Sequence, residues 1–258
     1  MEFYTLASSS AGNAALVCHE NTHILIDVGI SCRRITQSLA ALSLTLDDLD
    51  GILITHEHID HVRALGTLQK KHAIPLYASF GTAAAISYPA PYLHAFAADE
   101  TFTIKDLQIR SFRTSHDAKE SVGYRIESSD GSLAVLTDTG FITDDAHDAA
   151  LGADMLLLES NHDVIMLKNG GYPYYLKQRI LGNRGHLSNE NSGRLLSRVL
   201  HDNLKKVILG HLSQENNLPE LAYETVRMEI DLADNPYHGG DFPIQVAKRN
   251  EVSEMICF

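Results

Sequence analysis

Residues 51–61 have the sequence GILITHEHIDH, in which a short apolar run is followed by four side chains that can bind metals. The apolar run predicts a strand, so these side chains stand in the loop where the strand ends. His56 and His58 are two positions apart, and in extended chain they point to the same side and can share one ion. Asp60 and His61 follow directly and can turn toward a second ion. This one loop therefore predicts most of two metal sites.

Three further candidate ligands stand at the ends of other apolar runs. They are His116, Asp138 and His211. Imidazole and carboxylate groups without thiolates suit zinc, manganese or iron, and a carboxylate can bridge two cations because it has two oxygens. We therefore predict a centre of two divalent metal ions (Zn, Mn or Fe) with Asp138 as the bridging ligand. The alternatives for a chain with 14 histidines are a chance cluster, or a metal that only staples the fold.

The composition limits the classes of partner and compartment. A formal net charge of −12 argues against a protein that coats nucleic acid or anionic membranes non-specifically, because its long-range field repels phosphates. Bound divalent cations are then the local attractor for a phosphate-bearing substrate. The three cysteines, Cys18, Cys32 and Cys257, form no CxxC pair and predict neither a disulfide framework nor a thiolate zinc site. Since no apolar stretch is long enough to span a membrane, we expect a cytoplasmic protein without a membrane partner.

Predicted strands and helices follow one another along the chain without an obvious linker. Apolar, β-branched runs predict strands over 16–18, 23–28, 51–55, 107–112, 133–137, 155–158 and 207–209. Helices are predicted over 31–42, 61–72, 81–87, 188–200 and 219–232. Because no Pro/Ser-rich or low-complexity tract divides the chain, we expect one domain, 1–258, of stacked sheets covered by helices.

The HxHxDH motif of residues 56–61 resembles the signature of the metallo-β-lactamase superfamily. The remaining motifs of that superfamily are matched, in the expected order, by Asp27, His116, Asp138 and His211. The resemblance covers at least residues 23–213. It implies an α+β fold, the αββα four-layer sandwich, in which two mixed β-sheets are flanked by helices and the metals lie at one edge of the sheets.

The resemblance also implies a role for each of these residues. One metal would be held by His56, His58 and His116. The other would be held by Asp60, His61 and His211, with Asp138 between the two ions. Asp27 would lie behind the ligands and orient a ligand histidine.

Three further segments resemble the WalJ/YycJ-type branch, a group of exonuclease-like relatives of the metallo-β-lactamase nucleases. These are residues 6–13 (LASSSAGN), residues 159–163 (ESNHD) and the pair of Gly-His-Leu-Ser segments at 185–188 and 210–213. Ser9 departs from the glycine expected in the opening loop of that branch. The resemblance implies a metal-dependent phosphodiester hydrolase with nucleic acid as substrate, a DNA or RNA exonuclease. A thioester or lactone hydrolase on the same dinuclear site and a non-catalytic metal-binding protein are the alternatives.

Several polar residues in these segments are candidates for holding the substrate. The hydroxyl-rich turn at residues 8–13 either holds phosphate oxygens or is an ordinary turn between strands, and its candidates are Ser8, Ser9, Ser10 and Asn13. In the later segments the candidates are Asn161, Ser188 and Asn189. Residues 168–186 are locally basic and carry tyrosines, a pattern that suits a single strand through phosphate neutralisation and base stacking. A surface helix with packed tyrosines is the alternative.

The expected reaction starts with a hydroxide that bridges the two metals and attacks phosphorus in line. Asp60 is expected to orient or deprotonate that water. His186 is the candidate general acid for the leaving oxygen, because histidine titrates near neutral pH. The alternative for His186 is a structural position beside Ser188, which would begin the next helix.

Overall fold

Two seven-stranded β-sheets form the centre of the computed structural model, which describes residues 1–258. Along the chain the strands are β1 (Glu2–Ala7), β2 (Ala14–His19), β3 (Thr22–Ile26), β4 (Gly51–Leu53), β5 (Leu76–Ser79), β6 (Leu93–Phe96), β7 (Thr101–Ile104), β8 (Leu107–Arg113), β9 (Val122–Glu127), β10 (Ser132–Leu136), β11 (Met155–Glu159), β12 (Lys206–Gly210), β13 (Ile244–Val246) and β14 (Ile256–Cys257). The first sheet has the order β14-β1-β2-β3-β4-β5-β6, and the second has the order β13-β12-β11-β10-β9-β8-β7. Each half of the chain therefore builds one sheet, and only β14 returns from the C-terminus to the first.

Each sheet has an antiparallel part and a parallel part. In the first sheet β1 to β3 pair antiparallel, and β3 to β6 pair parallel. In the second sheet β7 to β10 are antiparallel, and β10 to β13 are parallel. Because the carboxyl ends of parallel strands lie at one edge of a sheet, the loops after β3 and β4 share an edge, as do those after β10, β11 and β12. Most of the candidate ligands stand in these loops.

Nine helices lie against the sheets. They are α1 (Cys32–Ala41), α2 (Ile59–Val62), α3 (Leu65–Lys71), α4 (Phe80–Ala85), α5 (Asp144–Ala150), α6 (Val164–Asn169), α7 (Tyr174–Leu181), α8 (Asn189–Val199) and α9 (Pro219–Leu232). Ser31 and Ser188 precede α1 and α8, and each side chain accepts a hydrogen bond from the backbone N–H three residues later. None of the nine combines the length and the apolar character needed to cross a membrane.

Three apolar layers hold the sheets and helices together. The central layer lies between the two sheets and includes Phe3 from the first and Tyr124 from the second. On the outer face of the first sheet, a second layer includes Ile35 of α1. On the outer face of the second sheet, a third layer includes Leu196 of α8. This succession of helices, sheet, sheet and helices confirms the predicted αββα four-layer sandwich.

The prediction of one continuous helix over 61–72 is wrong, because the chain forms two shorter helices, α2 and α3, in its place. The backbone carbonyls of Asp60 and His61 accept hydrogen bonds from the N–H groups of Asn13 and Val28, each at 2.8 Å. Loops from elsewhere in the chain thus take acceptors that a continuous helix would use for its own N–H groups. The break therefore ties the metal-binding loop to its neighbours.

Several elements are not predicted by apolar runs: β1, β5, β6, β7, β9, β13, β14, α5, α6 and α7. Strand β9 shows the reason, since Gly123 and Arg125 interrupt its apolar pattern. Pairing with β8 on one side and β10 on the other nevertheless makes it a strand. A Cβ at position 123 would stand 2.4 Å from the ring of Phe112, so glycine allows this close approach.

Candidate metal centre

The candidate ligands stand where the chain leaves the sheets. His56 and His58 follow β4, His116 follows β8, Asp138 follows β10 and His211 follows β12. Strands of both sheets therefore contribute to one centre, and the sheet order brings together residues that lie far apart along the chain.

Three of the strand ends have a left-handed backbone. Asp27, Asp138 and His211 have φ angles of 59°, 56° and 58°. Residues other than glycine rarely adopt this conformation, and it persists where surrounding contacts hold it. The backbone strain at these positions is thus associated with polar side chains that contact the centre.

A first set of ligand atoms comes from the histidines predicted to share one ion. The set consists of His56, His58 and His116, and one ring nitrogen from each lies within 4.8 Å of the others. Nδ1 of His58 and Nε2 of His116 are 3.2 Å apart. His56 and His116 are buried, and their rings meet edge to face. Three imidazoles at this spacing suit a transition metal or zinc.

A second set combines one carboxylate with two histidines. Oδ2 of Asp60 lies 3.5 Å from Nε2 of His61 and 3.5 Å from Nε2 of His211. The two imidazole rings have their centroids 5.6 Å apart. This is the set predicted for the second ion.

Asp138 lies between the two sets. Its Oδ1 is 3.6 Å from Nε2 of both His116 and His211, and its Oδ2 is 3.2 Å from Nε2 of His61. Its Oδ1 thus faces one candidate ligand atom of each set, and its Oδ2 faces the second set. A carboxylate in this position can bridge two cations.

Unpartnered buried atoms indicate that these residues fit metal ions. Nε2 of His56, Oδ2 of Asp138 and Nε2 of His211 are buried and make no hydrogen bond. Burying a polar atom without a partner is unfavourable, and such atoms are rare in folded proteins. Their convergence at one place, with donors of the imidazole and carboxylate type, fits divalent cations.

In two of the candidate ligand histidines, His61 and His116, the second ring nitrogen forms a hydrogen bond on the side away from the centre. Nδ1 of His61 pairs with Oδ2 of Asp27 at 2.7 Å, which is the contact expected for Asp27. Nδ1 of His116 donates to the carbonyl of Gly185 at 2.9 Å. These contacts leave Nε2 of each ring for the centre and set its orientation.

Glu159 is a site residue that the sequence did not single out. It is fully buried, and its Oε1 accepts hydrogen bonds from Nδ1 of His186 and from Nδ1 of His211, each at 2.8 Å. Its Oε2 accepts from the backbone N–H groups of Thr139 and Leu187, at 2.9 and 3.1 Å. A charged residue at the end of the otherwise apolar strand β11 was the signal that could have found it.

His186 lies within the centre outside the two predicted ligand sets, and one of its ring nitrogens lies within 4.8 Å of ligand atoms of Asp138, Glu159 and His211. Its ring centroid is 4.9 Å from that of His116 and 5.3 Å from that of His211. Nδ1 also lies 3.6 Å from Oδ1 of Asp138. The side chain keeps 15% of its surface exposed, so it can reach a substrate at the mouth of the centre.

The histidines of the centre differ in their affinity for protons. Burial disfavours the charged form of His211, but the neighbouring carboxylates, Asp138 foremost, outweigh burial and raise its pKa to about 10. Burial is outweighed in the same way at His61, where Asp138 again contributes most and the pKa lies well above its usual value. At His56, burial and the charge of His61 together lower the pKa.

The carboxylates of the centre are held in the ionised form. Burial alone would raise their pKa values, but the positive charges of histidines outweigh it. The pKa of Asp138 lies well below its usual value, with His211 as the main cause, and that of Asp60 is lowered by its contacts with the same histidine. The pKa of Glu159 falls to about 2, mainly through His186. All three can therefore accept hydrogen bonds or bind cations at neutral pH.

The side chains of the predicted phosphate-binding turn are mostly engaged within the fold. The hydroxyl of Ser8 accepts a hydrogen bond from the backbone N–H of His211 at 2.9 Å. Oδ1 of Asn13 accepts from the N–H of Ser9 at 3.0 Å, and these residues are buried, whereas Ser10 is exposed. The turn thus supports the loop that carries His211. Phosphate binding by this turn stays a prediction, with Ser10 as its exposed side chain.

The other three predicted substrate contacts are also buried. Nδ2 of Asn161 donates to the carbonyl of His211 at 2.9 Å, and Oδ1 of Asn189 accepts from the hydroxyl of Ser160 at 2.6 Å. Ser188 caps α8. These side chains hold the loops of His186 and His211 in place, and their contact with a substrate stays a prediction.

Comparisons with known proteins agree with this geometry. A family model described as the beta-lactamase superfamily domain matches residues 22–211. The exodeoxyribonuclease WalJ of Streptococcus pneumoniae is 41% identical over 241 residues, which cover 90% of this chain and 89% of that protein. The exodeoxyribonuclease YycJ of Bacillus anthracis is 36% identical over 236 residues, with the same two shares. Among solved structures, the metallo-β-lactamase fold protein YhfI from Bacillus subtilis matches 98% of both chains with a TM-score of 0.72 and 16% identity, which supports the fold.

Proposed function

The chain belongs to the metallo-β-lactamase superfamily and, within it, to the WalJ/YycJ-type branch, and from this premise we propose that it is a metal-dependent exodeoxyribonuclease. The predicted resemblance to both groups is confirmed. The observation that carries the proposal is the convergence of seven candidate ligands in one buried centre, on a chain whose relatives are named as exodeoxyribonucleases. The relatives' names favour DNA over RNA, which the sequence left open. A cytoplasmic location stays a prediction.

We propose that the centre holds two divalent metal ions, Zn, Mn or Fe. The ligands would be His56, His58 and His116 for one ion, Asp60, His61 and His211 for the other, and Asp138 for both. When bound, the metals would supply an activated water and positive charge at the phosphate. The positive charge also explains how an acidic protein can attract a polyanion to this one place.

Asp60 orients the attacking water in this proposal. Contacts of its carboxylate with His211 and His61 lower its pKa, and bound cations would likewise favour its ionised form. An ionised carboxylate accepts hydrogen bonds, and one with a low pKa is a weak base. Of the two roles predicted for Asp60, orientation of water is therefore favoured over its deprotonation.

His186 supplies the proton for the leaving oxygen in this proposal. Its Nδ1 is held by the buried carboxylate of Glu159, which leaves Nε2 to face a substrate. An imidazole fixed through one nitrogen by a carboxylate is a suitable general acid, because the carboxylate stabilises the protonated ring and sets its orientation. Glu159 acts as a positioning residue through His186 and does not touch the substrate.

Release of labelled nucleotides tests the proposed function. Native protein loaded with Mn²⁺ or Zn²⁺ is incubated with end-labelled single-stranded and duplex DNA, with RNA, and with a thioester. We expect stepwise shortening of DNA that a chelator abolishes, and a fall of kcat of about 100-fold or more in His186→Ala. The exposed His238 provides the matched control, His238→Ala, which should retain native rates. Turnover of the thioester with intact DNA would instead support the rival hydrolase class.

A further inference from the structure

Segment 168–186, which the sequence marks as basic and aromatic, forms the end of α6 and all of α7. Tyr174 and Tyr175 stand in the first turn of α7 and leave 76% and 74% of their surface exposed. They therefore contribute little to the core, and the alternative of packed tyrosines does not explain them. Exposed aromatic rings at consecutive positions make this part of α7 a candidate binding surface.

An ion pair of Arg179 connects helix α7 to the loop that carries His116. The guanidinium of Arg179 pairs with the carboxylate of Asp117, with Nη2 and Oδ1 3.0 Å apart. Oδ1 of Asp117 in turn lies 3.4 Å from Nε2 of His116. Tyr175 precedes Arg179 by four positions and so lies one turn away on the same face of the helix. Tyr175 thus lies one helical turn from a residue that pairs with the loop at the rim of the metal centre.

Three cations of the same segment, Lys168, Lys177 and Arg184, have no acidic partner. The ammonium of Lys177 donates to the backbone carbonyl of Lys168 at 2.8 Å, and the guanidinium of Arg184 donates to the carbonyls of His116 and Ala118. None of the three cations forms an ion pair, so their charge is uncompensated in a chain whose formal net charge is −12. Positive charge and exposed aromatic faces in one segment complement a strand of phosphates and bases.

We propose that Tyr174 and Tyr175 form a stacking platform for unpaired bases of single-stranded DNA beside the bond cleaved at the metal centre. Lys168, Lys177 and Arg184 would neutralise the backbone phosphates of the same strand. This inference rests on the proposed function and adds how the end of the strand is held. Bases of a duplex already stack on one another, so the platform takes up bases only where a strand is unpaired, including the frayed end of a duplex.

Binding of a hydrolysis-resistant DNA tests the platform apart from catalysis. The probe is a single-stranded oligodeoxynucleotide with phosphorothioate linkages and 2-aminopurine near its end. The chain has no tryptophan, so the fluorescence of this base reports its stacking without protein background. We expect the paired substitutions Tyr174→Ala and Tyr175→Ala to raise Kd for this probe about 5- to 100-fold, the loss of one stacked base. The pair Tyr174→Phe and Tyr175→Phe keeps the rings and should restore native binding.

Matched controls separate this inference from its alternatives. Ile165 of α6 is also apolar and 69% exposed, and Ile165→Ala should leave Kd unchanged. Native Kd and native fluorescence in the alanine pair would overturn the platform while native cleavage of DNA leaves the proposed function intact. A native protein that sediments as a dimer, with the alanine pair sedimenting as a monomer, would assign the tyrosines to self-association and overturn the platform. A native protein that cleaves no DNA would overturn the proposed function and this inference with it.

Discussion

At the scale of single residues, Glu159 connects the predicted metal binding of the centre with its proposed general-acid catalysis. Its one buried carboxylate holds a ligand, His211, and the candidate general acid, His186, through the same oxygen. Two backbone N–H groups stabilise its other oxygen, so the charge is fully hydrogen-bonded despite its burial. The position of the candidate acid relative to the candidate ligand His211 is therefore set by one side chain that is hydrogen-bonded to both.

We expect Glu159→Gln to weaken metal binding about 10- to 100-fold, because an amide presents only one acceptor oxygen and its NH2 group faces ring N–H groups. The measurement is a competition titration of the protein against a chelator of known affinity. Glu215 is exposed, and Glu215→Gln is the matched control of the same chemical change. Equal affinities in the two variants would show that Glu159 does not orient the ligand.

Metal binding is expected to release protons from His61 and His211. Neighbouring carboxylates raise the pKa of both rings, to about 10 for His211, so both favour the protonated form before a cation binds. A metal binds only the neutral imidazole, so apparent affinity should rise with pH up to about 10. Calorimetric titrations in buffers of different ionisation enthalpy measure the release. Asp138 is the main cause of both raised pKa values, so the Asp138→Asn protein should release fewer protons on binding metal. A heat of metal binding that does not depend on the buffer would contradict the predicted protonation of these histidines.

At the scale of elements, the predictable strands are those with an uninterrupted apolar run, such as β10 and β11. Strand β9 and the broken pair α2 and α3 could not be predicted, because their form depends on hydrogen bonds from distant segments. The carbonyls of Asp60 and His61 that end α2 are occupied by Asn13 and Val28, which lie more than 30 positions away in sequence. The local pattern of apolar and polar residues does not identify hydrogen-bond partners that lie so far away in sequence.

The close packing of β8 against β9 predicts the effect of a small substitution. In Gly123→Ala the new methyl would meet the ring of Phe112 at 2.4 Å and the carbonyl of Val135 at 2.6 Å. We expect a loss of about 1–3 kcal/mol in the free energy of unfolding, measured by urea denaturation. Gly171→Ala is the control, since nothing lies within 4 Å of a Cβ there. A Gly123→Ala protein as stable as the control would show that the strands can separate without cost.

At the scale of the whole molecule, one apolar layer joins the two halves of the chain. The central core contains residues of both sheets, and β14 from the C-terminus pairs with β1. Neither sheet can separate without exposing this layer. The predicted single domain over 1–258 accordingly leads us to expect cooperative unfolding.

We expect one thermal transition that shifts upward with metal and downward with a chelator. Ligands from both sheets would hold the metals, so binding stabilises only the assembled fold, by about 2.7 kcal/mol at a free metal concentration of 100 times Kd. Differential scanning calorimetry with added Mn²⁺, and again with chelator, measures both effects. Two separate transitions would contradict the shared core. A midpoint that added metal does not move would contradict the shared metal centre.

The sequence by itself determined the fold and predicted the candidate ligands, because the HxHxDH loop concentrates four candidates within six residues, and three others follow apolar runs in a fixed order. This information is local, so it can be recognised from the sequence alone. Only the tertiary structure decided that Glu159 joins His186 to His211, that Ser8 and Asn13 turn inward, and that Tyr174 and Tyr175 stand exposed. These facts depend on which strands become neighbours and which side chains they cover, and the spacing of residues along a chain does not encode either.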